Sequence, residues 1–189
     1  MKIIGVGCGE GMLTKEAERV LRDARILYGS ERAIELVRAF IPTDARVFEI
    51  TDYKALRTLP NDAVVLSTGD PLMAGLGYLP GEVIPGISSM QTAFSRLHVP
   101  WTNVAVVNAH GKDHGEAVLR TIQDIAAGHV VFLIADPDFS VGELGSALPG
   151  SVKIAVFEDL GYPNERIAEG TAGSPPKVLS PLFCIICGY

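Results

Sequence analysis

The sequence has few of the features that mark secreted or membrane proteins. It contains three cysteines in 189 residues, Cys8, Cys184 and Cys187, which do not make a disulfide framework. Its longest uncharged apolar runs, such as 130–135, are far too short to cross a bilayer, and the run at 1–5 is shorter than the apolar core of a signal peptide. We therefore expect a cytoplasmic protein with no membrane-spanning segment.

Basic residues are outnumbered by acidic ones. The chain has 16 Lys and Arg against 22 Asp and Glu, which gives a net charge of −6 at pH 7. Non-specific affinity for nucleic acid depends mainly on basic side chains that neutralise phosphates, so a nucleic-acid partner is not expected. Hydrophobic residues make up 48% of the chain and charged residues 20%, which is typical of a folded protein rather than a disordered one.

Familiar catalytic and cofactor motifs are missing as well. The glycines at 5–9 suggest a dinucleotide-binding fingerprint, but its third glycine would fall at Glu10. The turn that begins at Gly86 is not the nucleophile elbow of hydrolases, because Met90 stands where the second glycine is required. The chain also has no Walker A sequence and no HExxH pattern.

No metal site is predicted. Cys184 and Cys187 lie in an apolar run with the pattern of a strand, where residues three apart point to opposite faces. We expect both to be buried structural thiols. His110 and His114 would share a face only in a helix, and the glycines beside them oppose a helix there.

What the sequence does contain is an alternation of short apolar runs and amphipathic segments. This alternation predicts parallel βαβ units and an α/β protein, with Thr14 as the N-cap of the first helix. We expect two α/β domains, residues 1–103 and 104–189. The predicted strands are 2–7, 25–28, 46–50, 64–66, 83–84, 104–108, 130–135, 153–158 and 182–187, and the helical segments are 14–23, 31–40, 54–59, 90–97, 115–127 and 141–148.

The stretch 64–89 organises the first half of the chain. One buried strand runs into Gly69-Asp70-Pro71, and the next runs into a turn that exposes backbone and the hydroxyls of Ser88 and Ser89. Ligands of open parallel sheets bind beyond the carboxyl ends of the strands, so two such turns predict a binding cleft. A structural Asp-Pro turn is the alternative for Asp70 taken alone; Asp136-Pro137 repeats the pattern after the 130–135 strand.

The order of these turns resembles the tetrapyrrole (corrin and porphyrin) methyltransferases, which use S-adenosylmethionine. The resemblance rests on the glycine-rich turn 5–9 followed by Leu13-Thr14, on Gly69-Asp70-Pro71, and on the segment 84–89. Within the family, the segments 85–91, 100–101, 110–112 and 158–167 are similar to the subgroup that methylates carbon 5 of cobalt-precorrin-7 in cobalamin biosynthesis.

The resemblance implies two α/β domains of tetrapyrrole methylase type with the cofactor in a cleft between them. It also implies a homodimer. By position, it assigns cofactor contacts in the first domain to Cys8, Asp70, Met73, Ser88 and Ser89. In the second domain it assigns them, by strand position rather than motif, to Ile134, Ala135 and Phe157.

The substrate implied by the resemblance is a macrocycle that bears many carboxylates. Lys112 and Arg166 are the predicted contacts to these carboxylates. For proton transfer at the macrocycle we name His110 and Glu158, each with a structural role as the alternative. The macrocycle itself supplies the nucleophile, so alignment and exclusion of water are the main tasks expected of the protein.

Two departures from the family pattern stand out. The connector from Leu72 to Val83 is compact and rich in Gly and Pro, where the family normally has a fuller helix. The chain also ends at Tyr189, without the domain for carbon 15 methylation and decarboxylation that some relatives carry, so a separate protein with that activity is an expected partner. The alternatives are a methyltransferase for another tetrapyrrole or a protein side chain, and a non-catalytic partner that binds the cofactor or the corrinoid.

Overall fold

The computed structural model describes residues 1–189, and the chain divides into two compact units, Met1–Ser89 and Met90–Tyr189. The division falls after the first residue of the helix at 89–97, whereas the sequence placed the boundary between residues 103 and 104. Most of this helix belongs to the second unit because Phe94 packs against Phe132, with ring centroids 6.4 Å apart, and Arg96 forms an ion pair with Glu165.

The first unit is built on a parallel sheet of five strands. Their order is β3-β2-β4-β1-β5, and every pair is parallel. The carboxyl ends of all five strands therefore meet at one edge. The strands are β1 (Lys2–Gly5), β2 (Ile26–Gly29), β3 (Arg46–Glu49), β4 (Val64–Ser67) and β5 (Glu82–Ile84), and the helices are α1 (Lys15–Arg22) and α2 (Glu31–Val37), with 3-10 turns at Arg38–Phe40 and Ala55–Thr58.

Both helices of the first unit begin at a side-chain cap. Thr14 Oγ1 accepts a hydrogen bond from Ala17 N at 3.2 Å, and Ser30 Oγ accepts one from Ala33 N at 3.3 Å, which satisfies amide groups that lack a partner within the helix. The predicted N-cap at Thr14 is therefore confirmed. The two helices cover one face of the sheet, where Leu21 and Leu27 are fully buried.

The second unit contains a mixed sheet. Its order is β6-β7-β10-β8-β9; β6 and β7 are parallel, and the other neighbours are antiparallel. β6, β7 and β8 therefore run in the same direction, and their carboxyl ends lie at one edge of the sheet, where only β6 and β7 are direct neighbours. The strands are β6 (Val104–Asn108), β7 (Val130–Ile134), β8 (Lys153–Glu158), β9 (Arg166–Thr171) and β10 (Phe183–Cys187), and the helices are α3 (Ser89–Leu97, which begins at the last residue of the first unit), α4 (His114–Ala126) and α5 (Val141–Ala147).

The predicted α/β class is confirmed, and one strand was missed. β9 is half polar, has one large apolar residue, Ile167, and lies at the edge of its sheet, so it lacks the apolar run by which the other strands were found. Cys184 and Cys187 are both buried in β10, as predicted, and burial raises the pKa of Cys187 to about 12. None of the helices combines the length and apolar character needed to cross a membrane.

The connector between β4 and β5 contains no helix, as its Gly and Pro content predicted. It is held by Gly77 N, which donates to Pro71 O at 2.8 Å, and by Leu76 N, which donates to Ser67 Oγ at 3.3 Å. Leu79 is buried against the sheet face opposite the two helices, while Leu72 is 74% exposed. The segment thus covers part of that face with turns instead of a helix.

Candidate functional site

Three turns meet at the carboxyl edge of the first sheet. They follow β1, β4 and β5, which are neighbours in the sheet. Gly69 N donates to Gly7 O at 2.7 Å, and Cys8 N donates to Ile87 O at 3.0 Å. The turn after β1 is thus hydrogen-bonded to both others, so the three form one connected rim beyond the strand ends.

Glycine is required where these turns touch. A Cβ on Gly5 would lie 2.7 Å from Gly69 O, and a Cβ on Gly86 would lie 2.7 Å from the Cα of Gly5. Contacts this short would force the backbones apart. The glycines at the strand ends therefore allow three backbones to approach more closely than side chains would permit.

Asp70 fastens two of the turns to each other. Its Oδ1 accepts a hydrogen bond from Leu72 N at 2.8 Å, within its own turn, and its Oδ2 accepts one from Gly86 N at 3.1 Å. A carboxylate has about four acceptor positions, so these two bonds leave capacity for a ligand. The Asp-Pro turn is thus structural, and its partly exposed carboxylate remains a candidate ligand contact.

The other cofactor contacts predicted in the first unit lie on the same rim. Met73 N donates to Asp70 O at 3.0 Å, and Cys8 is fixed through its amide to Ile87, the neighbour of Ser88. Ser88 is 3% exposed, and Ser89 is the first residue of α3. The structure thus brings Cys8, Asp70, Met73, Ser88 and Ser89 together at three connected turns.

The second unit has a smaller rim where its parallel pair ends. Ala109 N donates to Ile134 O at 2.9 Å, so the turns after β6 and β7 are joined. Asp136 Oδ2 accepts from Gly111 N at 3.1 Å, and its Oδ1 lies 3.0 Å from His114 Nε2. Burial would raise the pKa of Asp136, but the Gly111 amide and the His114 ring outweigh it and hold that pKa below its usual value.

The three cofactor contacts predicted in the second unit differ in exposure. Ile134 and Ala135 lie at this rim, with Ile134 partly exposed and Ala135 8% exposed. Phe157 lies on β8, two strands away from β7, and its side chain is fully buried. Its side chain thus offers no surface to a ligand in this structure.

Glu158 and Arg166 were predicted to act separately, on a proton and on a substrate carboxylate. They lie directly opposite each other on β8 and β9 and form an ion pair. The Glu158 side chain is 1% exposed, and it also accepts hydrogen bonds from Leu179 N and from Ser180 N, the latter at 2.8 Å. Both residues therefore hold the second unit together.

The pKa of Glu158 supports this structural role. Burial would raise that pKa, but the amides of Leu179 and Ser180 and the guanidinium of Arg166 outweigh burial and hold it below its ordinary value. A carboxylate that stays ionised and fully hydrogen-bonded is a weak proton acceptor. Glu158 is thus a poor candidate for proton transfer.

His110 and Lys112 are exposed on the turn after β6.

Two interactions near the predicted site were not found from the sequence. The first is the contact of His114 with Asp136, and the second is a hydrogen bond from Arg32 Nη2 to Thr68 Oγ1 at 3.0 Å. Each joins a residue in the first turn of a helix to a residue that follows a strand far away in the sequence, so no local pattern indicates them.

The rim of the first unit suits a small ligand with both apolar and hydrogen-bonding parts. It offers closely spaced backbone, one partly exposed carboxylate and the half-buried thiol of Cys8. The structure contains no group of three or more His, Cys, Asp or Glu side chains arranged to hold a metal ion. The Asp70 carboxylate can accept hydrogen bonds from the amino group or the ribose hydroxyls of S-adenosylmethionine, and backbone groups of the turns can pair with its other polar atoms.

Sheet order and connected glycine-rich turns define an α/β protein whose candidate site lies at the carboxyl edge of the first sheet. The family model for Tetrapyrrole (Corrin/Porphyrin) Methylases matches residues 2–176, and the chain belongs to this family. The family consists of S-adenosylmethionine-dependent C-methyltransferases, so the chain is an enzyme of that class. The resemblance stated from the sequence is confirmed.

Two curated relatives illustrate the likeness. The chain is 28% identical over 188 residues to the probable cobalt-precorrin-7 C(5)-methyltransferase of Methanocaldococcus jannaschii, covering 88% of this chain and 86% of that protein. It is 27% identical over 190 residues to the decarboxylating precorrin-6Y C(5,15)-methyltransferase of a Sinorhizobium species, covering 88% of this chain. The chain spans only 44% of the length of that second relative.

Solved structures share the fold over nearly the whole chain. The precorrin-6Y methylase of Archaeoglobus fulgidus has a TM-score of 0.77 and 29% identity, covering 98% of this chain and 96% of that one. The uroporphyrin-III C-methyltransferase of Thermus thermophilus, solved with S-adenosylhomocysteine, has a TM-score of 0.67 and 20% identity, covering 98% and 95%. The second likeness concerns the fold alone.

Proposed function

We propose that the chain transfers a methyl group from S-adenosylmethionine to carbon 5 of cobalt-precorrin-7, giving cobalt-precorrin-8. The observation that carries the proposal is the rim of three hydrogen-bonded turns after β1, β4 and β5, in a chain that belongs to the tetrapyrrole methylases. The likeness to a probable cobalt-precorrin-7 C(5)-methyltransferase supports the choice of substrate.

In this proposal the rim of the first unit holds the cofactor. Asp70 orients its amino or ribose groups with the acceptor positions that Leu72 and Gly86 leave available. The turn containing Cys8 and the turn containing Ser88 and Ser89 enclose the rest, with Met73 at the margin. Ile134 and Ala135 are the proposed contacts from the second unit.

The cofactor supplies a methyl group on a positively charged sulfur. With the cofactor bound, the electron-rich carbon of the macrocycle would form the new C–C bond as the S–CH₃ bond breaks. The electron pair of that bond would stay on sulfur, and the carbon would later lose a proton. The protein aligns the two partners and excludes water. Two residues, His110 and Glu158, were predicted for proton transfer. Because Glu158 is held in an ion pair with Arg166, His110 remains the proposed proton acceptor.

Two measurements test the proposal in sequence. Calorimetry with S-adenosylhomocysteine tests cofactor binding, and mass spectrometry after incubation with S-adenosylmethionine and cobalt-precorrin-7 tests methyl transfer. Asp62→Ala serves as a control, because Asp62 is exposed just before β4, at the opposite end of that strand from Asp70. We expect binding and one added methyl group for both the native chain and this control.

The outcomes separate the alternatives. Absence of S-adenosylhomocysteine binding would overturn the cofactor assignment. Binding without transfer to any corrin intermediate would make the chain a non-catalytic binding partner, and transfer to uroporphyrinogen III alone would reassign the substrate. A homodimer, and a separate protein for carbon 15 methylation and decarboxylation, complete the proposal; light scattering and co-purification with such a protein test them.

A further inference from the structure

One cation is tied directly to the rim of the first unit. Arg32 lies in the first turn of α2, just after β2, and its Nη2 donates to Thr68 Oγ1 at 3.0 Å. Thr68 follows β4 and immediately precedes Gly69 and Asp70. Because β2 and β4 are parallel neighbours, the hydrogen bond holds the guanidinium beside the turn that carries Asp70.

The charge of Arg32 is not matched by an acidic side chain. Its side chain is exposed, and it takes part in no ion pair, unlike Arg22, Arg38 and Arg96, each of which is bound by a glutamate. The guanidinium has five N–H donors, and only one makes a hydrogen bond within the chain. Helix stability does not explain its position, since a cation in the first turn opposes the helix dipole.

Other cations near this edge are engaged or lie elsewhere. Lys15 is paired with Glu18 at 2.9 Å, and Arg57 lies over the ring of Tyr78 at 5.1 Å. Lys54 follows the outermost strand β3, which β2 separates from β4. Among these cations, Arg32 is therefore the one whose side chain is hydrogen-bonded to a turn of the rim.

We propose that Arg32 binds a carboxylate of the tetrapyrrole substrate beside the cofactor, an inference that rests on the proposed function. The planar guanidinium matches a carboxylate in a two-bond arrangement, and Thr68 fixes its direction. The chain carries a net charge of −6, so a polyanionic substrate needs a local cation at the site. Arg166, the contact suggested by sequence, is already engaged by Glu158.

The test compares two arginines at opposite ends of one strand. Arg32 follows β2, and Arg25 precedes it; both are exposed and neither forms an ion pair. Steady-state methylation of cobalt-precorrin-7 is measured for the native chain, Arg32→Ala, Arg32→Lys, Thr68→Val and Arg25→Ala, together with the Kd for S-adenosylhomocysteine. The two alanine variants change the net charge equally, so a difference between them reports position rather than charge.

We expect Arg32→Ala to raise the KM for the macrocycle roughly five- to tenfold, with kcat and the cofactor Kd little changed, as loss of one charged contact predicts. Arg32→Lys should recover part of this loss, because it keeps the charge without the planar fork. Arg25→Ala should match the native chain. Added salt should raise the native KM more than that of Arg32→Ala.

Two results would overturn the inference. One is an unchanged KM in Arg32→Ala; the other is a weakened cofactor Kd in both Arg32→Ala and Thr68→Val, which would make the pair a support for the cofactor turn. If the native chain methylates cobalt-precorrin-7 while either result holds, the proposed function stands and only the role of Arg32 fails. If the native chain binds S-adenosylhomocysteine but methylates no tetrapyrrole, the proposed function fails first.

Discussion

Asp70 Oδ2 accepts a hydrogen bond from Gly86 N at 3.1 Å, which joins the turns that follow β4 and β5 across 16 positions of sequence. These turns lie on either side of the one after β1. The carboxylate assigned to the cofactor by resemblance is therefore also a structural contact. Its removal should affect the shape of the rim as well as any direct bond to a ligand.

The first prediction separates these two effects of Asp70. Asp70→Ala leaves the amides of Leu72 and Gly86 without their acceptor, which costs about 1–3 kcal/mol of folding free energy. Asp70→Asn keeps one acceptor oxygen and loses the charge. We expect Asp70→Ala to lower both stability and affinity for S-adenosylhomocysteine, and Asp70→Asn to lower affinity with a smaller loss of stability.

Urea unfolding and calorimetry on the same preparations check this first prediction, with Asp62→Ala as the control for loss of one exposed carboxylate from this unit. If Asp70→Asn binds S-adenosylhomocysteine as tightly as the native chain, the charge of Asp70 has no part in binding. Its role would then be structural alone.

The second prediction concerns the close approach of glycines at the rim. A Cβ on Gly86 would lie 2.7 Å from the Cα of Gly5 and closer still to Gly69 O, all of it backbone that cannot rotate away. Gly86→Ala should therefore be strongly destabilised, by about 3 kcal/mol or more. Thermal unfolding measures the loss.

Gly142→Ala is the matched control for Gly86→Ala. Gly142 is exposed in α5, and the nearest atom to its added Cβ is Ser140 Oγ at 3.8 Å. Because alanine favours a helix over glycine, this variant should be more stable by about 0.5–1 kcal/mol. Equal stability of the two variants would show that the backbones of the three turns can move apart without loss of folding free energy.

The strands and turns of the first unit were predictable, because their signals are local. β4 begins with an apolar run, and Thr14 caps α1 by accepting a hydrogen bond from the amide of Ala17, three residues further along the chain. The bond from Gly86 to Asp70 has no such signal, since it depends on two strands that are separated in the sheet by β1.

The Glu158–Arg166 pair was missed for a related reason. The two residues lie eight positions apart and meet only because β8 and β9 pair in antiparallel register. β9 lacks an apolar run, so it was not recognised as a strand, and each residue was given an independent role. One undetected edge strand therefore changed the interpretation of two candidate site residues.

The third prediction concerns thiol reactivity. Cys8 is half-buried at the rim, whereas Cys184 and Cys187 are buried in β10, and burial raises the pKa of Cys187 to about 12. Thiolate rather than thiol reacts with disulfide reagents. We expect Ellman's reagent to modify one cysteine in the folded protein and all three in guanidinium chloride.

Cys8→Ser identifies the reactive thiol, since this variant should show no fast reaction when folded. S-adenosylhomocysteine should slow the modification of Cys8 if the cofactor lies against the turn after β1. Fast reaction of two or three cysteines in the folded chain would contradict the burial of β10. An unchanged rate at saturating S-adenosylhomocysteine would remove Cys8 from the proposed cofactor contacts.

The fourth prediction follows from the depressed pKa of Glu158. Burial opposes ionisation, yet the amides of Leu179 and Ser180 and the Arg166 guanidinium hold the pKa below the ordinary value of 4.5. A group whose pKa is lower in the folded than in the unfolded state contributes stability that is present above the unfolded pKa. That contribution is lost as the pH falls through the folded value.

Glu158→Gln removes the charge while keeping an acceptor for the backbone amides. Arg166 is 39% exposed, so solvent screens part of the ion pair, and we expect a loss of about 2 kcal/mol at pH 7. Urea unfolding of both proteins between pH 7 and pH 3 should show this difference shrinking below pH 4.5. Glu35→Gln, which breaks the exposed pair with Arg38, should cost less than about 0.5 kcal/mol at every pH. A difference for Glu158→Gln that stays constant with pH would mean that lost packing, rather than the ionised carboxylate, accounts for the destabilisation.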